Sequence, residues 1–186
     1  MSIGTRLREH VDRYCGQSPS GVVAEDSVGL KVATFRDTPD KGLMTALTVG
    51  LSGHELSQTG ARKLRQELLV CVDQDYAGLP WAEILFAVGK KVIENHKALL
   101  RGEVLGPAGP LFPEATWCNA TALICSGPAF FDREFAELTI DNEIIVFVEL
   151  IPITTLEARA IVQEGWRAFF DQVNDGTINI LDLRRT

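Results

Sequence analysis

The chain has 186 residues, of which 23% are charged and 46% hydrophobic. That is the balance of a folded chain of one to one and a half domains, and it excludes wholesale disorder. With 18 basic and 25 acidic side chains the formal charge is −7, the wrong sign for a protein that grips nucleic acid by its phosphates.

Ile3, Leu7, Val11 and Tyr14 recur at helical spacing and predict a short amphipathic helix over 3–14. Gly16-Gln17-Ser18-Pro19-Ser20-Gly21 then breaks the chain, so residues 1–20 are expected to form a loosely attached helix on a hinge. Residues 27–35 alternate, with Val28, Leu30 and Val32 on one side, as a half-buried strand does. A turn over 37–42 leads to a second strand over 43–51, the two making a hairpin. A polar loop spans 53–60, and 67–72 is apolar enough for a central strand. Pro80 then opens a helix at a position where its missing N–H costs nothing. Trp81, Ile84, Leu85, Val88, Val92, Leu99 and Leu100 share one face, Lys90, Lys91, Glu94 and Lys97 the other, and Gly102 is the expected stop. This predicts about five turns.

Gly106-Pro107-Ala108-Gly109-Pro110 is a loop, and 120–125 a short strand. Residues 144–151 have the profile of a strand buried on both faces, interrupted by Glu149, whose charge there requires a partner, an edge or a function. Pro152 is the expected end of that strand. Thr154 and Glu157 have capping-box spacing, and the apolar face from Ala158 to Val173 predicts one helix, stopped by Asp175-Gly176. Residues 177–183 alternate as a last strand would. Consecutive strands without intervening helices argue for an α+β fold, with a mixed, mainly antiparallel sheet and helices packed on it, as a single domain over 1–186.

No apolar run exceeds five residues, against about 20 for a membrane helix, and the N-terminus has no secretory pattern. Cys15, Cys71, Cys118 and Cys125 form no CxxC pair and are expected as free thiols in a reducing compartment. The expected location is cytoplasmic, with no membrane and no nucleic acid as partner. Neither GxGxxG nor GxxxxGK[ST] occurs, so no cofactor is expected. His10, His54 and His96 lack metal-ligand spacing, to each other and to the cysteines, so no metal is expected. There is no GxSxG and no cysteine at a helix start, so no catalytic residue is assigned and the chain is expected not to be an enzyme.

Several of these stretches stand in a particular order. Gly50-Leu51-Ser52 closes a strand and Arg65-Gln66-Glu67-Leu68 opens the next. Trp81 begins the long helix, with Glu94-Asn95 near its end and Leu99 and Gly102 beyond. Val146-Phe147 lies in the central strand, Pro152 and Glu157 lead into the last helix, and Leu181-Asp182-Leu183-Arg184-Arg185 forms the tail. In this order and spacing, over about 43–186, the chain resembles the suppressor-of-fused domain in its compact, single-domain bacterial form. The resemblance implies a binding protein. The animal member clamps a short peptide of a zinc-finger transcription factor between two domains, the peptide adding as a β-strand, and so holds its partner inactive. Bacterial members resemble its N-terminal domain, and many are proposed as immunity proteins that neutralise a toxin. With the tail ending at Thr186, the second, clamping domain is not expected.

The expected function is therefore non-catalytic binding of a protein partner, a basic toxin or a regulator, by steric occlusion. Gly50, Leu51, Ser52 and His54, which match the family's Gly-Leu-Ser step, and Asp182 and Arg184 of the tail are the candidate contacts. Each set has a structural alternative, a turn and an Asp–Arg pair that fixes the terminus. Trp117, in a loop outside any periodic run, is a candidate anchor or a side chain packed beneath that loop. Residues 103–186 carry 5 basic and 13 acidic side chains, with Asp132, Glu134, Glu137, Asp141 and Glu143 close together. Such a surface steers a basic partner, or is an ordinary solvated face. Two other classes stay open: an enzyme with a small-molecule pocket, and a homo-oligomeric or chaperone-like scaffold. Monomer and homodimer are equally compatible with the residues.

Overall fold

A computed structural model gives the structure of the protein and describes residues 3–25, 27–58 and 63–186. Met1 and Ser2 of the first expected helix segment, and Thr59 and Gly60 of the expected polar loop, lie outside the described residues. In chain order the elements begin with α1 (Ile3–Cys15), β1 (Gly21–Glu25), β2 (Leu30–Arg36), β3 (Leu43–Val49), β4 (Leu56–Ser57), β5 (Lys63–Asp73) and α2 (Trp81–Asn95). They continue with β6 (Val104–Leu105), β7 (Ala122–Ser126), β8 (Glu137–Ile140), β9 (Glu143–Ile153), α3 (Thr155–Glu164) and α4 (Trp166–Asn174). The fold is α+β with a mixed, mainly antiparallel sheet. β5 pairs with β9 in parallel, in the register Arg65↔Ile145 to Leu69↔Glu149. The pairs β1–β2, β2–β3, β3–β5, β4–β5, β6–β7 and β8–β9 are antiparallel.

The stretch read as one domain groups into two compact units. The first comprises Met1–Leu99 and Gly127–Glu149, the second Leu100–Ser126 and Leu150–Thr186. In the first unit the strand order is β1-β2-β3-β5-β9, with β4 on β5 and β8 on β9. The expected hairpin is β2–β3, closed by Asp37, whose Oδ1 accepts the Gly42 N–H at 2.9 Å. The helix expected to be loosely attached instead buries Leu7, Val11 and Cys15 with Phe35, Leu47, Leu69, Ile145 and Phe147 of the sheet. Phe135, just before β8, completes that layer, its ring centroid 4.6 Å from that of Phe147. Each such side chain contributes about 1.5–3 kcal/mol on burial, which outweighs the freedom conferred by the glycine-rich hinge.

The long helix is shorter than its apolar pattern suggests. α2 stops at Asn95, with His96 left-handed at φ 49°. Beyond it the chain finds better partners than its own helix. Ser57 donates its N–H to the His96 carbonyl at 2.8 Å and receives the Ala98 N–H at 2.9 Å. The buried Gln66 amide takes both polar groups of Leu99, at 2.8 and 3.0 Å. Leu99 is therefore core, but not helix.

In the second unit the capping box forms as expected, Thr154 Oγ1 accepting from Glu157 N–H at 3.2 Å and Glu157 Oε2 from Thr154 N–H at 2.7 Å. The single helix expected after it is two. Gly165, at φ 91° and ψ 154°, ends α3 and starts α4. Pro152 lies inside β9 rather than ending it. Residues 177–183 are turns, not a strand. Short acceptor side chains capture the backbone there, Asn179 Oδ1 taking Leu181 N–H at 3.1 Å and Asp182 Oδ1 taking Arg184 N–H at 2.9 Å, and such local bonds compete with a ladder. No helix among the described residues is long and apolar enough to cross a membrane.

Candidate functional site

The first unit carries an open groove of about 430 Å³ over the start of β5 and β9 and the β8–β9 turn. Its walls include Glu55, Lys63, Arg65, Glu137, Asn142 and Glu143, with Leu64, Ile144 and Val146 as apolar floor. The sheet register explains the convergence, because the parallel β5–β9 pair brings Arg65 beside Ile145 while β8 sets Glu137 opposite Val146. Asp141 and Asn142, with φ 47° and 71°, form the tight turn that returns the chain to Glu143.

Both cations of the groove are neutralised in place. Lys63 pairs with Glu55. Arg65 grips Glu143 through Nε at 2.6 Å and Nη2 at 3.3 Å, and its hydrogen bonds hold the Glu143 carboxyl below the usual range. Glu137 is exposed at the same groove. Asp132, Glu134 and Asp141 are exposed on the segment leading into and out of β8, against the single exposed base Arg133. With both cations paired, the lining keeps one further acid, Glu137, beside apolar residues of which Ile144 is 46% exposed, and Asp141 precedes Asn142 of the lining in the β8–β9 turn.

Behind the groove lies the Gly50-Leu51-Ser52 step. Leu51 and Ser52 are buried, so their side chains are not contact surface. Ser52 and the Gly50 backbone serve Glu67, which is fully buried on β5. Its Oε2 accepts from Thr48 Oγ1 at 2.6 Å, and its Oε1 accepts from Gly50 N–H and Ser52 N–H at 3.0 Å each and from Ser52 Oγ at 2.7 Å. Burial pushes the Glu67 carboxyl up, while these donors pull the other way. Gly50 sits at φ 114°, and a Cβ there would meet the Gly29 carbonyl oxygen at 2.8 Å. Arg65 Nη1 ties the same loop to the groove, donating to the Ser52 and Gly53 carbonyls at 3.0 and 3.1 Å. His54 is half-buried just after it, its N–H bonded to the Leu51 carbonyl at 2.9 Å.

Trp117, Asp182 and Arg184 come together in the second unit. Trp117 is 40% exposed, and the Arg184 guanidinium carbon lies 5.4 Å from its ring centroid. Asp182 accepts the Arg184 N–H, and the Asn119 side-chain amide holds the Arg184 carbonyl at 2.8 Å. The charge that fixes the terminus is Arg185, not Arg184. It reaches Glu157 at 2.7 Å and the Pro152 carbonyl at 2.6 Å.

Arg65, Lys63, Glu55 and Glu67 were not singled out as site residues from the sequence. The available signal for Lys63, Arg65 and Glu67 was charge recurring at alternate positions at the start of β5; Glu55, outside any strand, had none. Glu149 is buried, its Oε2 accepting the Ala129 N–H at 2.6 Å, and burial pushes its carboxyl up to about 8. Cys15, Cys71 and Cys125 are buried thiols, each pushed up to about 12 by burial.

The family model for Suppressor of fused protein (SUFU) matches residues 26–186. No curated protein matches the chain. Among solved structures, a SUFU homologue from Neisseria gonorrhoeae is similar at 13% identity and TM-score 0.71, over 98% of this chain and 94% of that one. A Sufu chain from a Sufu–Fu complex is similar at 13% identity and TM-score 0.68, over 90% and 82%. Drosophila Suppressor of Fused is similar at 13% identity and TM-score 0.59, over 86% of this chain but 43% of that one. At these identities the structures speak for the fold, and the family model for the lineage. The chain belongs to the suppressor of fused protein family.

Proposed function

We propose that this chain is a non-catalytic protein-binding domain that occludes a basic segment of a partner, acting as an immunity or regulatory protein in a bacterial cytoplasm. The observation that carries the reading is the groove of the first unit. Lys63 and Arg65 are already paired there, so Glu137 of the lining, with Asp141 exposed in the turn just before Asn142, leaves negative charge beside the apolar Ile144 and Val146. A Lys- or Arg-bearing segment finds charge and apolar contact side by side, and the surrounding acids speed its approach. Family membership supports protein binding, and a relative of the same fold is known as a Sufu–Fu complex. No catalytic role is assigned to the buried carboxyl and thiols. Glu149 and the thiols of Cys71 and Cys125 are buried in the core, not at the groove, where an acid–base or nucleophilic group has to meet substrate.

The test is binding of short Lys/Arg-containing peptides against charge-neutral counterparts, by fluorescence anisotropy at rising salt. The basic peptides should bind the wild type, more weakly as screening increases. Glu137→Lys with Asp141→Lys should lower affinity at least tenfold, or about 1.4 kcal/mol. Equal binding of the charge-reversed protein would overturn the reading.

A further inference from the structure

We propose that β1 is a homodimerisation edge, through which two copies of this chain join antiparallel about a two-fold axis at Val23. Among the described residues β1 pairs with β2 alone, so its other side presents unpaired backbone N–H and C=O groups. Natural sheets guard such edges with brevity, charge or proline. The other edge strands here follow that rule. β4 and β6 are two residues long, Gly106-Pro107 follows β6, and β8 opens on Glu137. β1 is guarded less: it is five residues long, and its one charge, Glu25, stands at its last position. Gly21-Val22-Val23-Ala24 is four uncharged residues, and Val22 and Val23, on opposite faces, are 57% and 53% exposed.

The occupant follows from symmetry and charge. A two-fold axis normal to the sheet keeps each face on its own side, so residues opposite one another share parity. Centring the axis on Val23, the middle of Gly21–Glu25, pairs all five residues. Val23 meets Val23 of the second copy, Val22 meets its Ala24, and Glu25 meets its Gly21. The only charge of the strand therefore faces a glycine rather than its own counterpart, and Glu25 stays held by Lys90 at 3.3 Å and by Ser27. Valines line both faces of the joint, and cross-strand β-branched pairs are favourable. The edge is thus self-complementary, whereas a basic segment, the occupant assigned to the groove, finds no free charge on it.

The experiment is sedimentation of the full chain over a concentration series, with cysteine cross-linking at β1. The wild type should be a dimer that dissociates on dilution. Val23→Lys sets like charges directly opposite and should raise the dimer dissociation constant at least tenfold, while at a dilution where both proteins are monomeric the thermal midpoint should be unchanged, since the side chain is exposed. Opposite Cα atoms lie about 4.5–5.5 Å apart, within disulfide reach, so Val23→Cys should cross-link on mild oxidation. Val22→Cys should not, because its counterpart lies roughly 8 Å away. The four native cysteines are buried and leave the assay silent. A monomer at every concentration, a dimer unaffected by Val23→Lys, or cross-linking of Val22→Cys in place of Val23→Cys would each overturn the proposal. None of these outcomes bears on peptide binding at the groove, whose residues are different.

Discussion

Glu67 and Glu149 are both buried carboxyls on central strands, yet they are handled in opposite ways. Glu67 is surrounded by four donors. Glu67→Gln replaces one of the two acceptor oxygens by an NH2 that faces a donor, so it should cost about 1–3 kcal/mol, read as a lower midpoint in urea unfolding. Gly50→Ala should destabilise by about 1–3 kcal/mol, since it combines a positive φ with a close carbonyl, measured the same way. Glu149 accepts the Ala129 N–H, and burial holds its carboxyl at about 8 in the folded state against 4.5 as its ordinary value. Between those values the folded chain binds a proton at Glu149 that the unfolded chain does not. Its contribution to stability is therefore full below about pH 4.5 and is lost as pH rises toward 8, at up to about 1.4 kcal/mol per pH unit. Glu149→Gln removes this dependence. The difference in unfolding free energy between variant and wild type should grow in the variant's favour from pH 5 to pH 8, and a flat difference would contradict the assignment. The sequence shows that Glu149 needs an explanation, because a lone acid in an apolar strand is costly. Which explanation applies depends on the distant Ala129 N–H, and nothing local in the chain encodes that contact.

At the scale of elements, local signals proved legible and competition between distant partners did not. The capping box before α3, the Pro80 start of α2 and the β2–β3 hairpin are written within a few residues. The end of α2 is not, since it depends on Ser57 and Gln66 capturing the chain after His96. β8 hides in an acidic stretch, and alternation at 177–183 is outcompeted by Asn179 and Asp182. α1 shows the same limit, because a glycine-rich linker predicts freedom while packing decides otherwise. Val11→Ala should cost about 1–3 kcal/mol, detected by chemical denaturation. A free helix would show no loss. Arg185→Ala, which leaves the half-buried Glu157 without its guanidinium partner, should destabilise by about 2–4 kcal/mol, reduced from the fully buried case by partial exposure.

At the scale of the molecule, the acidic bias of residues 103–186 is plain in the sequence, and its relation to a groove is not. The groove arises because a parallel β5–β9 pair sets Arg65 against Glu143, 78 positions apart in the chain. In the Gly50-Leu51-Ser52 step, expected from the sequence as contact surface, the Leu51 and Ser52 side chains are buried, and Ser52 supports this wall through Glu67 and Arg65. The most direct test is an amide-resolved NMR titration of the full chain with a Lys/Arg-bearing peptide at low and moderate salt. A salt-sensitive footprint on Glu137, Asn142, Ile144 and Val146, absent with the charge-neutral peptide, is the predicted result. A footprint confined to the Trp117–Arg184 face, or none at any salt, would contradict the groove as the binding site.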